Sequence, residues 1–173
     1  MENIDVLITE NSIQKKVREV AKQIEKDYNG KNITVISILT GSIVFTSDLI
    51  RNIDNEIYLE TMKVSSYVGE TSGDLILKLD CQKSISGKDV IIIEDIIDSG
   101  KTLYYLVNYL KQHNPNSVKI CTLLDKPSKR LCDINSDYNC FTIEDYFVVG
   151  YGIDYNEKYR NLPYIGKLQQ DIK

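Results

Sequence analysis

The residues of this chain whose types and spacing could do chemistry are Glu94-Asp95 and Asp98-Ser99-Gly100-Lys101-Thr102. Asp98 is a candidate proton acceptor, and Ser99 and Thr102 offer hydroxyls. Gly100 lets the backbone turn tightly and direct its N–H groups at a ligand, as in a phosphate cradle. Two carboxylates beside a phosphate would repel it. They fit a sugar phosphate, whose ribose hydroxyls they can accept and whose excess charge Mg²⁺ can neutralise. The Ser-Gly-Lys-Thr string is not a Walker loop, because that loop needs a glycine five residues before Gly100 and Asp95 stands there.

These residues need a strand to carry them and a helix to follow. Residues 90–93, Val-Ile-Ile-Ile, are an unbroken β-branched run, the pattern of a strand buried on both faces of a parallel sheet. On this reading the two acids come directly after the strand. Leu103, Leu106, Val107 and Leu110 then recur at helical spacing. The loop therefore lies at the carboxyl end of a parallel strand, where ligands of open α/β sheets bind.

The rest of the chain repeats the scheme. Ile13, Val17, Val20, Ala21 and Ile24 predict an amphipathic helix, capped by Thr9 or Ser12 and ended by Asn29-Gly30. Residues 33–39, 57–64, 75–79 and 118–124 read as strands. Thr40-Gly41-Ser42 joins the first of these to a helix with Phe45, Leu49 and Ile50, and is a second possible anion loop on the same edge. Residues 65–74, polar with two glycines, are either a plain hairpin connection or a mobile lid. Lys126 follows a strand end and could simply be solvated. The expected fold is α/β, a mostly parallel twisted sheet flanked by helices.

Bulk composition excludes several classes. A chain of 173 residues with 42% hydrophobic and 27% charged residues suits one folded domain over 1–173. With 21 basic against 25 acidic residues, a nucleic-acid partner is not expected. No apolar run approaches the roughly 20 residues of a membrane span, and the start carries Glu2 and Asp5 rather than a signal peptide. Cys81, Cys121, Cys132 and Cys140 form no C-x-x-C pair, so reduced thiols in a cytoplasmic protein are expected, and no zinc site. The one histidine, His113, sits beside Asn114-Pro115 at a predicted helix end, a poor place for a base.

The stretch E-D-I-I-D-S-G-K-T-L resembles the phosphoribosyl-pyrophosphate motif of type I phosphoribosyltransferases, and in particular their hypoxanthine-guanine branch. Residues 146–166, Y-F-V-V-G-Y-G-I-D-Y-N-E-K-Y-R-N-L-P-Y-I-G, resemble the purine-binding end of the same branch, so the likeness spans about residues 5 to 168. It implies a small purine-binding hood formed by the terminal segments, and an enzyme of purine salvage. It implies that Glu94, Asp95, Asp98, Ser99, Gly100, Lys101 and Thr102 hold the phosphoribosyl group, with Asp98 as the catalytic base. Thr40, Gly41, Ser42 and Arg160 would meet pyrophosphate, although Thr40 replaces a usual basic residue, so only the backbone role carries over. Lys126 would hold the purine oxygen, Phe147 stack on the base, and Val148 and Ile153 contact it. Asp154 would lie near the base and the metal-bound waters, Mg²⁺ being shared with Glu94 and Asp95. Ser66-Tyr67 match a Ser-Tyr pair in the family's lid. The expected partners are a 6-oxopurine and phosphoribosyl pyrophosphate, in a homodimer or homotetramer.

A second class stays open: a regulator of the same fold that binds nucleotide without turnover. A binder of RNA would need a basic surface, and binding alone would not require Asp98, a lid and a purine segment together. A P-loop kinase fails on the missing glycine.

Overall fold

A computed structural model describes residues 4–66 and 75–169. The strand β1 (Ile4–Ile8) leads into helix α1 (Glu10–Tyr28), whose Ile13, Val17, Val20, Ala21, Ile24 and Tyr28 form one buried stripe. Thr9 caps it, its hydroxyl accepting the Ser12 N–H at 3.3 Å. Asn29, in the left-handed region at φ +41°, ends it. Then come β2 (Ile33–Ile38), α2 (Ile43–Ile50), β3 (Ile57–Ser66), β4 (Leu75–Leu79), β5 (Asp89–Ile97), α3 (Lys101–Lys111), β6 (Ser117–Asp125), a 3-10 turn (Pro127–Lys129), β7 (Tyr138–Thr142), β8 (Val148–Val149) and β9 (Ile165–Leu168).

Six strands form one sheet in the order β4-β3-β2-β5-β6-β7, in which only the edge strand β4 is antiparallel to its neighbour. The chain leaves β2 outward to β3 and leaves β5 outward to β6, so the order reverses between the two central strands. A crevice opens at such a switch point, at the carboxyl ends of the strands. The loops after β2 and β5 both end there. β2 is buried at all six positions and β5 at Val90 through Glu94, because helices cover both faces. Residues of α1 and α2 pack on Val35, Ile91, Ile93 and Cys121. Residues of α3 pack on Ile36, Val90, Ile92 and Ile120 on the other face.

The terminal segments form a separate antiparallel sheet, β1-β9-β8. Its Val148 and Ile165 join the same core as α1, so the hood expected of the terminal segments is present and is anchored to the main sheet. The α/β reading is borne out, with one correction. β5 does not stop at Ile93 but runs to Ile97, so Glu94 and Asp95 lie inside the strand rather than after it. The reason is pairing: Glu94 and Ile96 sit opposite Thr122 and Leu124 of β6, and the ladder continues to Ile97 and Asp125. Tyr67 and the remainder of the expected lid, residues 67–74, lie outside the described residues; Ser66 is the last residue of β3.

Candidate active site

The loop after β5 folds as its glycine dictates. Gly100 has φ +82° and is the N-cap of α3, whose first N–H groups open toward the loop. A methyl group on Gly100 would lie 2.7 Å from Ile134 Cγ2, so the residue is fixed by close approach as well as by its backbone angle. The Ser99 carbonyl accepts the N–H groups of Leu131 and Cys132, which ties the segment after β6 to the cradle. Asp98 is exposed in an open cavity of about 200 Å³ that Glu94, Asp95, Ser99, Gly100 and Thr102 also line. Lys101 is exposed at the first turn of α3.

Glu94 and Asp95 carry the strongest electrostatics of the site. Burial pushes the Glu94 carboxyl well above the usual range, and the charge of Asp95 and a hydrogen bond to it push it further. Burial raises Asp95 too, against the lowering by hydrogen bonds from Glu94 and the Ile96 amide and by the charge of Arg160. Both shifts are upward, so the sign is unfavourable for the isolated fold. The pair erodes stability as pH climbs from the ordinary carboxylate pKa through the raised ones, unless a cation approaches.

The loop after β2 touches this pair. A methyl group on Gly41 would lie 1.7 Å from Asp95 Oδ2, and one on Gly152 would lie 2.1 Å from the Gly41 carbonyl oxygen. Gly41 is thus pressed between the acid pair and the terminal segment, a reason for glycine more specific than an ordinary strand–helix turn. Ser42 fixes the other end of the loop: its hydroxyl donates to the Ile38 carbonyl at 2.6 Å and meets Ser37 Oγ at 2.8 Å. Thr40 is exposed.

The terminal segment turns sharply after β8. Gly150 and Gly152 both have φ +102°, and close approach holds them: a methyl on Gly150 would lie 2.0 Å from the Tyr164 carbonyl oxygen. Arg160 donates to the Gly152 carbonyl at 2.7 Å and pairs with Asp154 Oδ1 at 2.7 Å. Asp154 Oδ2 accepts the Glu157 N–H. Asp154 is therefore engaged with Arg160, while Glu94 and Asp95 stand together in β5. Among the described residues no three His, Cys, Asp or Glu side chains are grouped so as to hold a metal. Phe147 is 41% exposed, with the Tyr155 ring edge-on at 5.3 Å, while Val148 and Ile153 are buried.

Lys126 is only 7% exposed, and its backbone N–H donates to the Ile97 carbonyl at 2.9 Å, which places it beside the end of β5. Its ammonium lies 3.8 Å from Asp145, which also holds Lys129 at 2.7 Å. Asp145 was not singled out in the sequence. It stands two residues before Phe147 in no periodic pattern, and only the fold brings it to Lys126. Arg130, ion-paired with Asp125, is likewise new to the site; its buried Nη1 has no hydrogen-bond partner.

A protein-family model described as the phosphoribosyl transferase domain matches residues 7–156. The chain belongs to that family. It is 46% identical over 169 residues to the hypoxanthine-guanine phosphoribosyltransferase of Streptococcus thermophilus, covering 96% of this chain and 94% of the relative. The protein of the same name from Streptococcus pneumoniae is 47% identical with the same coverage. A crystal structure of a hypoxanthine-guanine phosphoribosyltransferase from Bacillus anthracis, with a HEPES molecule in its active site, superposes with a TM-score of 0.93 at 48% identity, covering 98% of this chain and all of the other. The fold is that of the type I phosphoribosyltransferases, and the chain is an enzyme of that family.

Substituting Gly41→Ala is expected to force Asp95 and Gly41 apart. Activity should fall at least about 10²-fold, the scale at which misplacing reacting groups by an ångström is felt, while circular dichroism stays that of a folded protein. An alanine variant with parental turnover would show that the contact with Asp95 is unimportant.

Proposed function

We propose that the site transfers the 5-phosphoribosyl group of phosphoribosyl pyrophosphate to hypoxanthine, and to guanine, giving the nucleoside monophosphate and pyrophosphate. The observation that carries the reading is the convergence at the carboxyl ends of β5 and β6 of a glycine-turned helix N-terminus, an acid pair inside β5 and a buried lysine whose counter-ion, Asp145, stands two residues before an exposed aromatic ring. A regulator without turnover is not favoured, because relatives that share almost the whole chain bear an enzyme's name. In this reading the amides around Gly100 and the hydroxyls of Ser99 and Thr102 hold the 5-phosphate, with Lys101 beside them. Glu94 and Asp95 accept the ribose hydroxyls close to C1, where positive charge develops as pyrophosphate leaves. The Thr40-Gly41-Ser42 backbone and Arg160 receive the leaving group. Asp98, exposed in the cavity, takes the proton from purine N7.

Mg²⁺ fits this donor set through Glu94 and Asp95. Two adjacent buried carboxylates with raised pKa values call for a cation, and Mg²⁺ is ordinarily held by one or two carboxylates plus substrate oxygens. Asp154 would join them only by releasing Arg160. Bound there, the ion supplies charge neutralisation of the pyrophosphate. Residues 1–173 act as one domain in this reading, since hood residues and α1 share a core. The surroundings are read as cytoplasmic, where four unpaired thiols are stable. Membrane and nucleic acid are not partners in this proposal. Among the described residues no helix is long and apolar enough to cross a bilayer.

A homodimer or homotetramer is the proposed assembly. Ile43 of α2 and Leu59 of β3 are 49% and 48% exposed, and both line an apolar hollow with Leu39 and Ile50. Solvent-exposed apolar surface of this kind suits a subunit contact. Sedimentation should give at least twice the mass of one chain, and Leu59→Glu should dissociate the assembly; a monomeric parent would end this part of the proposal.

Asp98→Asn is expected to lower kcat by about 10²–10⁴, the usual range for a lost general base, with little change in substrate binding. Parental turnover in the variant would remove Asp98 from the role.

Purine choice tests the reading as a whole. Lys126 is a donor only, so it suits the C6 oxygen of a 6-oxopurine and opposes the amino group of adenine. A 6-oxopurine also has an N1 proton for a carbonyl near Val148, and adenine has none. Two polar mismatches at about 1–3 kcal/mol each predict about 10²–10⁴ discrimination in kcat/KM. Lys126→Gln should shrink that ratio. The measurement is kcat/KM for hypoxanthine, guanine and adenine in both proteins, with Mg²⁺ and after its chelation, which should stop turnover. Comparable efficiency with adenine in the parent would sink the 6-oxopurine assignment.

A further inference from the structure

The purine segment meets the leaving-group loop at the Gly152–Gly41 contact, and it also meets the helix that follows that loop. The second contact is made by Tyr151, between Gly150 and Gly152. Its φ of +50° lies in the left-handed region, which an aromatic residue adopts only when its surroundings impose it. The ring is 3% exposed, packed in the core with α1 and α2. Its hydroxyl donates to Asp48 Oδ2 at 2.6 Å. Asp48 belongs to α2, the helix that begins directly after Thr40-Gly41-Ser42.

Asp48 is itself held from two other sides. Gln14 of α1 donates to the same oxygen at 2.7 Å, and Arg51 pairs with the other oxygen. On the opposite flank, the Tyr151 N–H donates to the Leu162 carbonyl at 2.8 Å and the Gly152 N–H to the Arg160 carbonyl at 2.9 Å. The hydroxyl therefore links a segment pinned to Arg160 with a helix pinned to the loop. A ring alone would fill the core. The hydroxyl adds an orientation, and together with the Gly152–Gly41 contact it removes the freedom of one segment to turn on the other.

We propose that Tyr151 and Asp48 are a positioning pair that fixes Arg160 and the Gly152 turn in register with the Thr40-Gly41-Ser42 loop, so that the groups receiving pyrophosphate act as one unit. The proposal rests on the function assigned above. Neither residue lines the cavity at Asp98. Loss of the link lets Arg160 and the loop drift relative to each other, which weakens the pyrophosphate end of the site more than the purine end. Misplacement by an ångström is enough for a large loss of rate.

Steady-state kinetics in both directions decide it, together with melting temperatures. Tyr151→Phe is expected to raise KM for pyrophosphate and for phosphoribosyl pyrophosphate about tenfold and to lower kcat by a similar factor, with the KM for hypoxanthine within about twofold. Asp48→Ala removes the acceptor from the other side and should give the same split. Asp48→Asn, whose amide oxygen can still accept the phenol, should restore values within about threefold of the parent. A melting temperature that falls while folded Tyr151→Phe and Asp48→Ala keep parental KM values would make the pair merely structural and overturn the proposal. Equal rises in KM for purine and pyrophosphate would overturn it too. A parent protein that forms no nucleotide would instead refute the proposed function, which separates the two failures.

Discussion

Burying two neighbouring carboxylates in a central strand is the constraint on which this structure turns. An isolated charge taken out of water is expensive, and a second like charge beside it makes the first worse. Glu94 and Asp95 accept that cost in β5, and their surroundings are arranged in answer to it. The amides of Asp95 and Ile96 donate to the two carboxylates, and Arg160 supplies positive charge from the terminal segment. Gly41 has no side chain, because any carbon there would collide with Asp95. In the proposed function, a cation and the hydroxyls of a sugar complete the partners of the two acids. Under that function, stability given up in the free protein is returned when ligand binds.

That constraint also explains which parts of the molecule were legible in the sequence. Val90 to Ile93 announced a doubly buried strand, and Leu103, Leu106 and Leu110 announced the helix after it, since both signals are local and periodic. The strand's continuation through Glu94 and Asp95 was not legible. Acids interrupt an apolar run, and only pairing with Thr122 and Leu124 of β6 shows that the ladder goes on. The Thr40-Gly41-Ser42 loop was found by its place after a strand, but the need for glycine there comes from Asp95, fifty-four residues away by subtraction of their numbers. Phe147, Asp154 and Arg160 were found through a family likeness rather than through any spacing. Asp145 and Asp48 were missed because an isolated acid in a polar stretch carries no pattern. Their roles exist only through Lys126 and Tyr151, which the fold brings to them.

The two halves of the site are held by different physics, and the difference suits the reaction. In the proposed function the phosphate end rests chiefly on backbone, a helix N-terminus turned by a left-handed glycine, and the ribose end on the Glu94 and Asp95 carboxylates, which the Asp95 and Ile96 amides hold in place. The purine half is built from side chains in exposed or shared contacts. Lys126 has its counter-charge at 3.8 Å, because Asp145 is drawn closer to Lys129, whose pKa is raised chiefly by that hydrogen bond. An ammonium whose carboxylate partner is claimed by a second lysine keeps donor capacity for a ligand, and it is still spared the full cost of burial without a counter-ion. Phe147, similarly, leaves a large part of its ring uncovered, with the Tyr155 ring perpendicular to it at 5.3 Å. Under the proposed function, a rigid anion-binding half and an uncommitted base-binding half are what an enzyme needs when one substrate is a highly charged donor and the other a flat, neutral acceptor. The first must be held in one geometry while its bond breaks. The second must find free donors, an open ring face and a proton acceptor on arrival.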